Sequence, residues 1–401
     1  MAQEIVQTAG RKRSGAVLVG AGILLSRISG LIREIAFAHF FGNSDAADVF
    51  KAALRIPNFL QNLFGEGALS ASFIPVYAGL RARGETEEAC KLAGGVAVLL
   101  GLAVSVLVLV GVLSAPLLVD IITPGFEGAK RLAVIDLVRI LFPGAGLLVF
   151  SAWCLGVLNS HRRFFMSYAA PVIWNASLIA ALLIYGGRCR EYDLALILAW
   201  SSVLGSLLQL LVQLPTTIKL VEKLVLKVDR CLQSLRLVVR NFFPVVIGRG
   251  VVQISAYVDS IIASLLPSGA LASLMYAQTI YLLPVGLFGI AVSAAELPEL
   301  SSAAVLGEGA KDMMRKNLAA GLRKISFFIL PAIVVFIGLG QQIIGAVYQS
   351  GRFSAQDTLY VWAALAGLAP GLYAATLGRL YASGFFALHN TKIPVRCAVL
   401  R

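Results

Sequence analysis

Apolar residues in this chain come in long unbroken runs, with neither strand-like alternation nor narrow amphipathic stripes. Leu92–Val119, Leu141–Leu158, Val172–Tyr185, Leu194–Leu214 and Ile325–Tyr348 are the clearest. A run of about 20 apolar residues coiled as α-helix matches a hydrocarbon core of about 30 Å. Lipid offers no partners to bare N–H and C=O groups, so such segments must bond internally as helices. The pattern predicts an all-α, polytopic membrane protein of about ten transmembrane helices. The expected spans are 15–41, 45–80, 91–119, 132–159, 166–187, 193–214, 241–265, 270–298, 322–348 and 356–386.

Two segments break this regularity. The second span is too long for one straight helix, and Pro57 and Pro75 are the expected breaks or kinks, because proline removes a backbone donor. Between the sixth and seventh spans, Leu220, Leu224, Val228 and Leu235 alternate with lysines and arginines. That spacing predicts an amphipathic helix on the cytoplasmic surface. It also divides the chain into an N-terminal bundle of six spans (1–216), a linker helix (217–240) and a C-terminal bundle (241–401) with four spans and the start of a fifth. Ala93-Gly94, Phe126 and Pro143-Gly144 recur at one offset as Ala320-Gly321, Phe353 and Pro370-Gly371. Transporters are often built from such repeats, with the substrate site between them.

Composition agrees with a membrane protein. Hydrophobic residues make up 58% of the 401 positions and charged residues 14%, against about 45–50% and about 25% in soluble proteins. The net charge of +13 points to nucleic acid or a membrane surface, and its distribution decides. Basic residues crowd alternate loops: Arg11–Arg13, Arg81 to Lys91, Arg162 with Arg163, six from Lys219 to Arg240, five from Lys311 to Lys324, then Lys392 and Arg396. The intervening loops are poor in them. This is the positive-inside pattern, with the N-terminus cytoplasmic, and no nucleic-acid partner is expected. The Arg11–Arg13 cluster before a long helix reads as a retained first span. Cys90, Cys154, Cys189, Cys231 and Cys397 are scattered and suggest neither a disulfide framework nor a zinc site.

Charge inside a span is the sharpest chemical signal. An arginine at mid-membrane costs about 2.5–3.5 kcal/mol even on lenient scales, so it needs a partner or a watery cavity. Arg27, Arg33 and Glu34 lie on the first span, Asp48, Arg55, Asn58 and Glu66 on the second, and Arg249 and Asp259 on the seventh. Arg27 and Glu34, seven apart, share a helix face, with Arg33 about 120° away; a kink at Gly30 would bring both arginines toward one cavity. The bland alternative is internal pairing, such as Arg33 with Asp48 across the first hairpin. Guanidinium forks match phosphate oxygens, so a polyanionic substrate fits Arg27, Arg33, Arg55 and Arg249, with Asp48, Asn58 and Glu66 as the other candidate substrate-binding residues. Asp259 is the candidate for a coupling sodium ion or proton. Catalytic patterns are lacking: His39, His161 and His389 fall near span ends, and no Gly-rich phosphate loop follows a strand. No enzymatic activity and no resident cofactor or metal are expected.

The stretch Ser26-Arg-Ile-Ser-Gly-Leu-Ile-Arg-Glu, followed by Leu54-Arg-Ile-Pro-Asn-Phe-Leu-Gln-Asn-Leu-Phe-Gly-Glu-Gly-Ala-Leu-Ser-Ala-Ser-Phe-Ile-Pro, closely resembles the MurJ/MviN family of lipid II flippases. These belong to the multidrug/oligosaccharidyl-lipid/polysaccharide exporter superfamily. Thr123-Pro-Gly-Phe, Gly156-Val-Leu-Asn, Ala170-Pro with Asn175, Gln213-Leu-Pro, Gln253-Ile-Ser, Tyr348-Gln-Ser-Gly-Arg-Phe and Lys392-Ile-Pro-Val extend the likeness along the chain. The resemblance implies a V-shaped pair of bundles around a cationic cavity. That cavity takes the head of undecaprenyl-pyrophosphate-linked peptidoglycan precursor and alternates between the two membrane faces. Membrane lipids and cell-wall synthesis proteins are the other implied partners. Arg27, Arg33 and Asp48 match family positions tied to function, and Asp259 matches a position where some members hold sodium.

Departures from the family are specific. Gln61 stands where a cavity arginine is common, Gln278-Thr279 replaces an Asp-Arg pair, and Leu282 replaces an acid. Arg55 and Arg249 are the candidates to supply the missing positive charge. Family members have about fourteen spans, and this chain ends where the eleventh begins, as a C-terminally truncated member would. The rival readings are an exporter of drugs or O-antigen lipid, a non-transporting scaffold for wall synthesis, and a polytopic enzyme acting on polyprenyl phosphate. The last requires acidic metal-binding clusters that are not evident.

Overall fold

The computed structural model describes residues 2–221, 233–286 and 310–387. The described chain folds as helices: α1 (Ala2–Phe41), α2 (Asp45–Phe64), α3 (Glu66–Ala82), α4 (Thr86–Leu113), α5 (Ala115–Ile122), α6 (Gly128–Ser160) and α7 (Phe164–Ala169). There follow α8 (Pro171–Tyr185), α9 (Glu191–Val221), α10 (Gln233–Ser264), α11 (Ala270–Pro284), α12 (Ala310–Gly338), α13 (Gly340–Tyr348) and α14 (Ala355–Ala387). Among the described residues, seven helical stretches are long and apolar enough to cross a membrane: Asp45–Ala82, Thr86–Leu113, Gly128–Ser160, Phe164–Tyr185, Glu191–Val221, Arg315–Gly338 and Ala355–Ala382. The expected span 270–298 runs beyond the described residues, as does the middle of the expected linker helix at 222–232.

Large apolar side chains cover the outside of these helices. Leu102, Val106, Leu109, Leu113, Leu117 and Ile121 stand exposed along α4 and α5, as do Phe327 and Val334 on α12. Continuous apolar surface of this kind is a liability in water and the normal condition against acyl chains. The protein is a multi-pass membrane protein.

Contacts divide the chain into two compact units, Met1–Phe40 with Asp45–Leu265, and Phe41–Ser44 with Leu266–Arg401. In the first unit α6 packs on α2, α3, α4 and α9, and α8 lies along α9. Its core holds Phe73, Tyr77, Leu92, Val96, Val149 and Trp153, with the Phe73 and Tyr77 rings stacked at 5.1 Å. At Gly111 a Cβ would stand 2.2 Å from the Phe142 ring, so only glycine lets α4 close onto α6 here. The division does not fall at 217–240 as expected. Residues 217–221 continue α9, residues 233–240 begin α10, and α10 packs along α3 and also touches α2, α4 and α5.

In the second unit α14 is central, packed against α11, α12 and α13. Tyr276, Tyr348 and Phe353 form a buried aromatic cluster with ring centroids 5.2–5.8 Å apart. The Tyr276 hydroxyl donates to the Gly42 carbonyl at 2.9 Å. That bond ties the turn after α1 into this unit.

The internal repeat is visible as a repeated order of elements. The long helix α4 carries Ala93-Gly94; the short α5, a turn with buried Phe126, and α6 with Pro143 inside it follow. Likewise α12 carries Ala320-Gly321 and is followed by the short α13, a turn with buried Phe353, and α14 with Pro370 inside it. The matching residues therefore occupy matching structural positions.

The break in the second span is not at a proline. Pro57 and Pro75 sit inside α2 and α3, which continue past them. The chain breaks at Gly65, whose N–H donates to the Gln61 carbonyl at 2.8 Å. A Cβ at Gly65 would lie 2.2 Å from that carbonyl oxygen, so the junction closes only around glycine. Gly65→Ala is expected to destabilise the first unit by about 1–3 kcal/mol, read as a lower midpoint of thermal unfolding in detergent. An unchanged midpoint would show that the junction relaxes freely.

At the far end of α6, the His161 ring nitrogen lies 3.0 Å from the Tyr77 hydroxyl. Burial, with the cationic Arg81 and Arg163 nearby, pushes the imidazole pKa down to about 4. The unfolded chain binds this proton near pH 6.5. The stability of the neutral pair is therefore complete above that pH and is lost as pH falls toward 4. Thermal unfolding between pH 7.5 and 4.5 should show a falling midpoint that flattens in His161→Gln; equal slopes in both proteins would contradict it.

Candidate functional site

The candidate residues that the structure draws together start on α1. Ser29, Arg33 and Phe37 are spaced four apart and so share one stripe of the helix. Ser29 and Phe37 are buried and Arg33 is half-buried. The stripe meets α8 through Asn175. The Asn175 amide donates to Ser29 Oγ at 2.8 Å, and its Oδ1 accepts from Arg33 Nη1 at 3.0 Å. Ser29 donates in turn to the Ser26 carbonyl at 2.9 Å. The Arg33 guanidinium also lies over the Trp174 ring, 4.8 Å from its centroid. Trp174 is held by its Nε1 donating to Ser202 Oγ at 3.1 Å. The Trp174 ring and the Asn175 amide thus fix one face and one edge of the fork, and a planar cation is oriented at small entropic cost.

The acid beside Arg33 is shared. Glu34 Oε1 accepts from Arg33 Nη2 at 2.7 Å, while Glu34 Oε2 accepts from Lys51 Nζ on α2 at 2.9 Å. The Lys51 side chain is 5% exposed, against 20% for Arg33 and 16% for Glu34. The ammonium also stands 5.1 Å from the Phe37 ring. Three charges meet in a largely apolar setting with two positive and one negative. Removing one member of such a cluster leaves a buried charge uncompensated, at a cost of about 3–5 kcal/mol.

Asp48 does not pair with Arg33. It is 1% exposed and accepts from Lys130 Nζ at 2.8 Å, and the same ammonium reaches Asp45 at 2.6 Å. Asp45 and Asp48 are nearly one turn apart on α2 and face the first turn of α6, where Lys130 also lies over the Phe126 ring at 4.3 Å. The cross-hairpin pair weighed as the bland alternative is therefore absent, and two separate clusters stand in its place. Arg33 uses its immediate neighbour, and Asp48 uses a lysine from a loop expected to be poor in bases.

Arg55 forms a second group further along α2. Its guanidinium lies 5.8 Å from the Tyr257 ring on α10, and the Tyr257 hydroxyl donates to the Arg55 carbonyl at 2.9 Å. Phe59 meets the same ring edge-on at 5.7 Å. The exposed Asp259 exerts a coulombic pull on Arg55. Asn58 is half-buried about one turn past Arg55. Glu66 is the first residue of α3 and Arg249 lies on α10; their side chains lie outside what the structure describes.

Arg27 does not join the Arg33 cluster. Its side chain is exposed on α1 beside exposed Leu24 and Ile28, and α1 runs unbroken through Gly30. Glu34, expected to share a face with Arg27, is bonded to Arg33 and Lys51. Sequence reasoning missed Lys51, Trp174 and Lys130. Lys51 carried the signal that identified the arginines, a lone charge within the apolar stretch Val49–Leu54. Trp174 carried none, because its role depends on where α8 meets α1.

The chemistry on offer is recognition of an anion. Among the described residues no three His, Cys, Asp or Glu side chains gather where they could hold a metal ion. What gathers instead is guanidinium and ammonium on a hydrogen-bonded frame, the donor set that suits phosphate oxygens.

Comparison with known proteins identifies the family. The family model for lipid II flippase MurJ matches residues 37–401. A probable lipid II flippase MurJ from Haemophilus influenzae is 32% identical over 393 residues, covering 94% of this chain and 76% of the relative. A solved lipid II flippase MurJ in an inward closed conformation superposes with a TM-score of 0.81 at 27% identity, covering 96% of this chain and 78% of that one. An inward-facing multidrug resistance transporter of the MATE family and MOP superfamily shares the fold, with a TM-score of 0.71 at 15% identity over 96% of this chain and 87% of that one. With a family model matched from residue 37 to residue 401, the chain belongs to the lipid II flippase MurJ family.

Proposed function

We propose that this protein flips lipid II, moving the undecaprenyl-pyrophosphate-linked peptidoglycan precursor from the cytoplasmic to the periplasmic leaflet of the bacterial inner membrane by alternating access. The single observation that carries the reading is the Arg33 fork. It is a guanidinium held by Asn175 and Trp174 in an apolar helix, with an acid beside it that a second cation shares. The negative charge that balances the cluster overall lies at Asp45 and Asp48, held by Lys130, and not at the Arg33 fork, so the excess of cation there is local. An excess cation kept on a rigid frame is what a phosphate-bearing lipid requires.

In this reading Arg33, Arg27 and Arg55 take the diphosphate oxygens, with Asn58, Glu66 and Arg249 contacting the remainder of the polar head. Asp48, pinned by Lys130, fixes the opening turn of α2 and so the register of α2 against α6. Asp259 is the group through which sodium or proton binding alters the charge beside Arg55. No covalent step is involved; the protein lends a polar path to a head group that cannot enter hydrocarbon unaided. The N-terminus lies in the cytoplasm, as the alternation of basic loops requires.

The test is transport of lipid II in proteoliposomes containing the full chain, set beside Arg33→Gln and Arg27→Gln. Each variant is expected to lose about tenfold in rate, the loss of one charge-assisted contact. Wild-type rates in both, or an unmodified chain that moves a neutral-headed polyprenol as well as lipid II, would overturn the reading.

A further inference from the structure

We infer that Lys51 is a positioning residue for the diphosphate: it holds the Glu34 carboxylate so that Arg33 is released to the substrate. The inference rests on the proposed reading of Arg33 as a phosphate ligand and names what keeps that ligand cationic. Arg33 and Glu34 are adjacent in sequence and bonded at 2.7 Å. Alone they form a neutral pair, and a phosphate approaching Arg33 would meet the repulsion of Glu34. Lys51 changes this balance. It takes the other carboxylate oxygen at 2.9 Å and is itself 5% exposed, too enclosed to be a ligand.

The geometry separates the roles of the three groups. Arg33 Nη1 is bound to a neutral amide oxygen, Asn175 Oδ1, and Nη2 to Glu34. When a phosphate oxygen replaces Glu34 at Nη2, the carboxylate is left with a full cationic partner and not as an orphan anion. The exchange trades one charge-assisted bond for another, so its net cost is small. Without Lys51 the same exchange strands a buried carboxylate, which is the expensive outcome for a half-dismantled buried pair. Asp48 and Asp45 are both bonded to Lys130, and Asp48 acts on Lys51 through its charge, whereas Glu34 both bonds the ammonium and is the stronger charge on it. The Phe37 ring caps the ammonium at 5.1 Å and keeps it directed at Glu34.

The experiment is a charge cycle on the full chain in nanodiscs, read as affinity for undecaprenyl diphosphate with undecaprenol as the uncharged control. Lys51→Met should weaken diphosphate binding about tenfold and leave undecaprenol unchanged. Lys51→Met combined with Glu34→Gln should restore it to within about twofold of wild type, because the cation on Arg33 is again unopposed. A merely structural lysine would lower binding only as far as it lowers the unfolding midpoint, whereas a positioning lysine weakens diphosphate binding in protein that remains folded and still binds undecaprenol. Thermal unfolding of each variant separates loss of fold from loss of binding, and the double variant, which strands no carboxylate and leaves Arg33 bonded to Asn175, serves if the single one does not fold. Wild-type binding in Lys51→Met, or a double variant as weak as the single, overturns the role of Lys51. If Arg33→Gln binds diphosphate as well as wild type, the proposed ligand itself fails, and that outcome is distinct from the other two.

Discussion

The carboxylate of Glu34, divided between Arg33 and Lys51, is the interaction on which the first unit's chemistry depends. A charge inside hydrocarbon persists only if something compensates it. Here the compensation is built from three helical residues on two helices, α1 and α2, and trimmed by a fourth and fifth from α8. The cluster fixes α1 against α2 and α8 in one register, because the Glu34–Lys51 bond and the Arg33–Asn175 bond must be made together. The same groups that position the helices also supply the excess cation. Structural and functional demands on these residues are therefore hard to separate by a single substitution, and charge cycles are more informative than deletions.

The second cluster, Asp45, Asp48 and Lys130, follows the opposite sign rule. Two acids share one base at 2.6 and 2.8 Å, giving a net negative group near the start of α2 and α6. The two clusters lie on the same stretch of α2, with Asp48 and Lys51 three residues apart. Alternation of sign along one helix keeps the total near neutrality while leaving each end locally charged. A cationic site can thus sit in a lipid-facing fold without the whole bundle repelling itself. Asp48 has a clear role in this arrangement, as the anchor of the α2 opening turn, without contact to Arg33.

Much of the architecture was legible from hydropathy alone. Lipid imposes a single solution on an apolar run, so helix, length and multi-pass character followed from the runs themselves. The repeat was legible too, since Phe126 with Phe353 and Pro143 with Pro370 mark equivalent turns and helices. Interruptions were harder to place. Proline was expected to break the second span, yet the break lies at Gly65, because a proline inside a helix costs one hydrogen bond whereas the junction there excludes any Cβ. Of the linker helix expected at 217–240, residues 217–221 continue α9 and residues 233–240 begin α10, while 222–232 lie outside the described residues.

For the site, the sequence by itself determined which charges had to be compensated: Arg33, Glu34 and Asp48 lie in or beside apolar spans where the cost of burial forces a partner. It also carried the family likeness that the comparisons bear out. Only the tertiary structure decided who those partners are. Arg33 could reach several acids by helix geometry, and the choice of Glu34, with Lys51 as third member, was fixed by how α1, α2 and α8 pack. Pairing among charges distant in sequence depends on side-chain directions across helix interfaces, which periodicity does not specify. Asp48 was given Lys130 for the same reason: the first turn of α6 is where the buried face of α2 comes to rest.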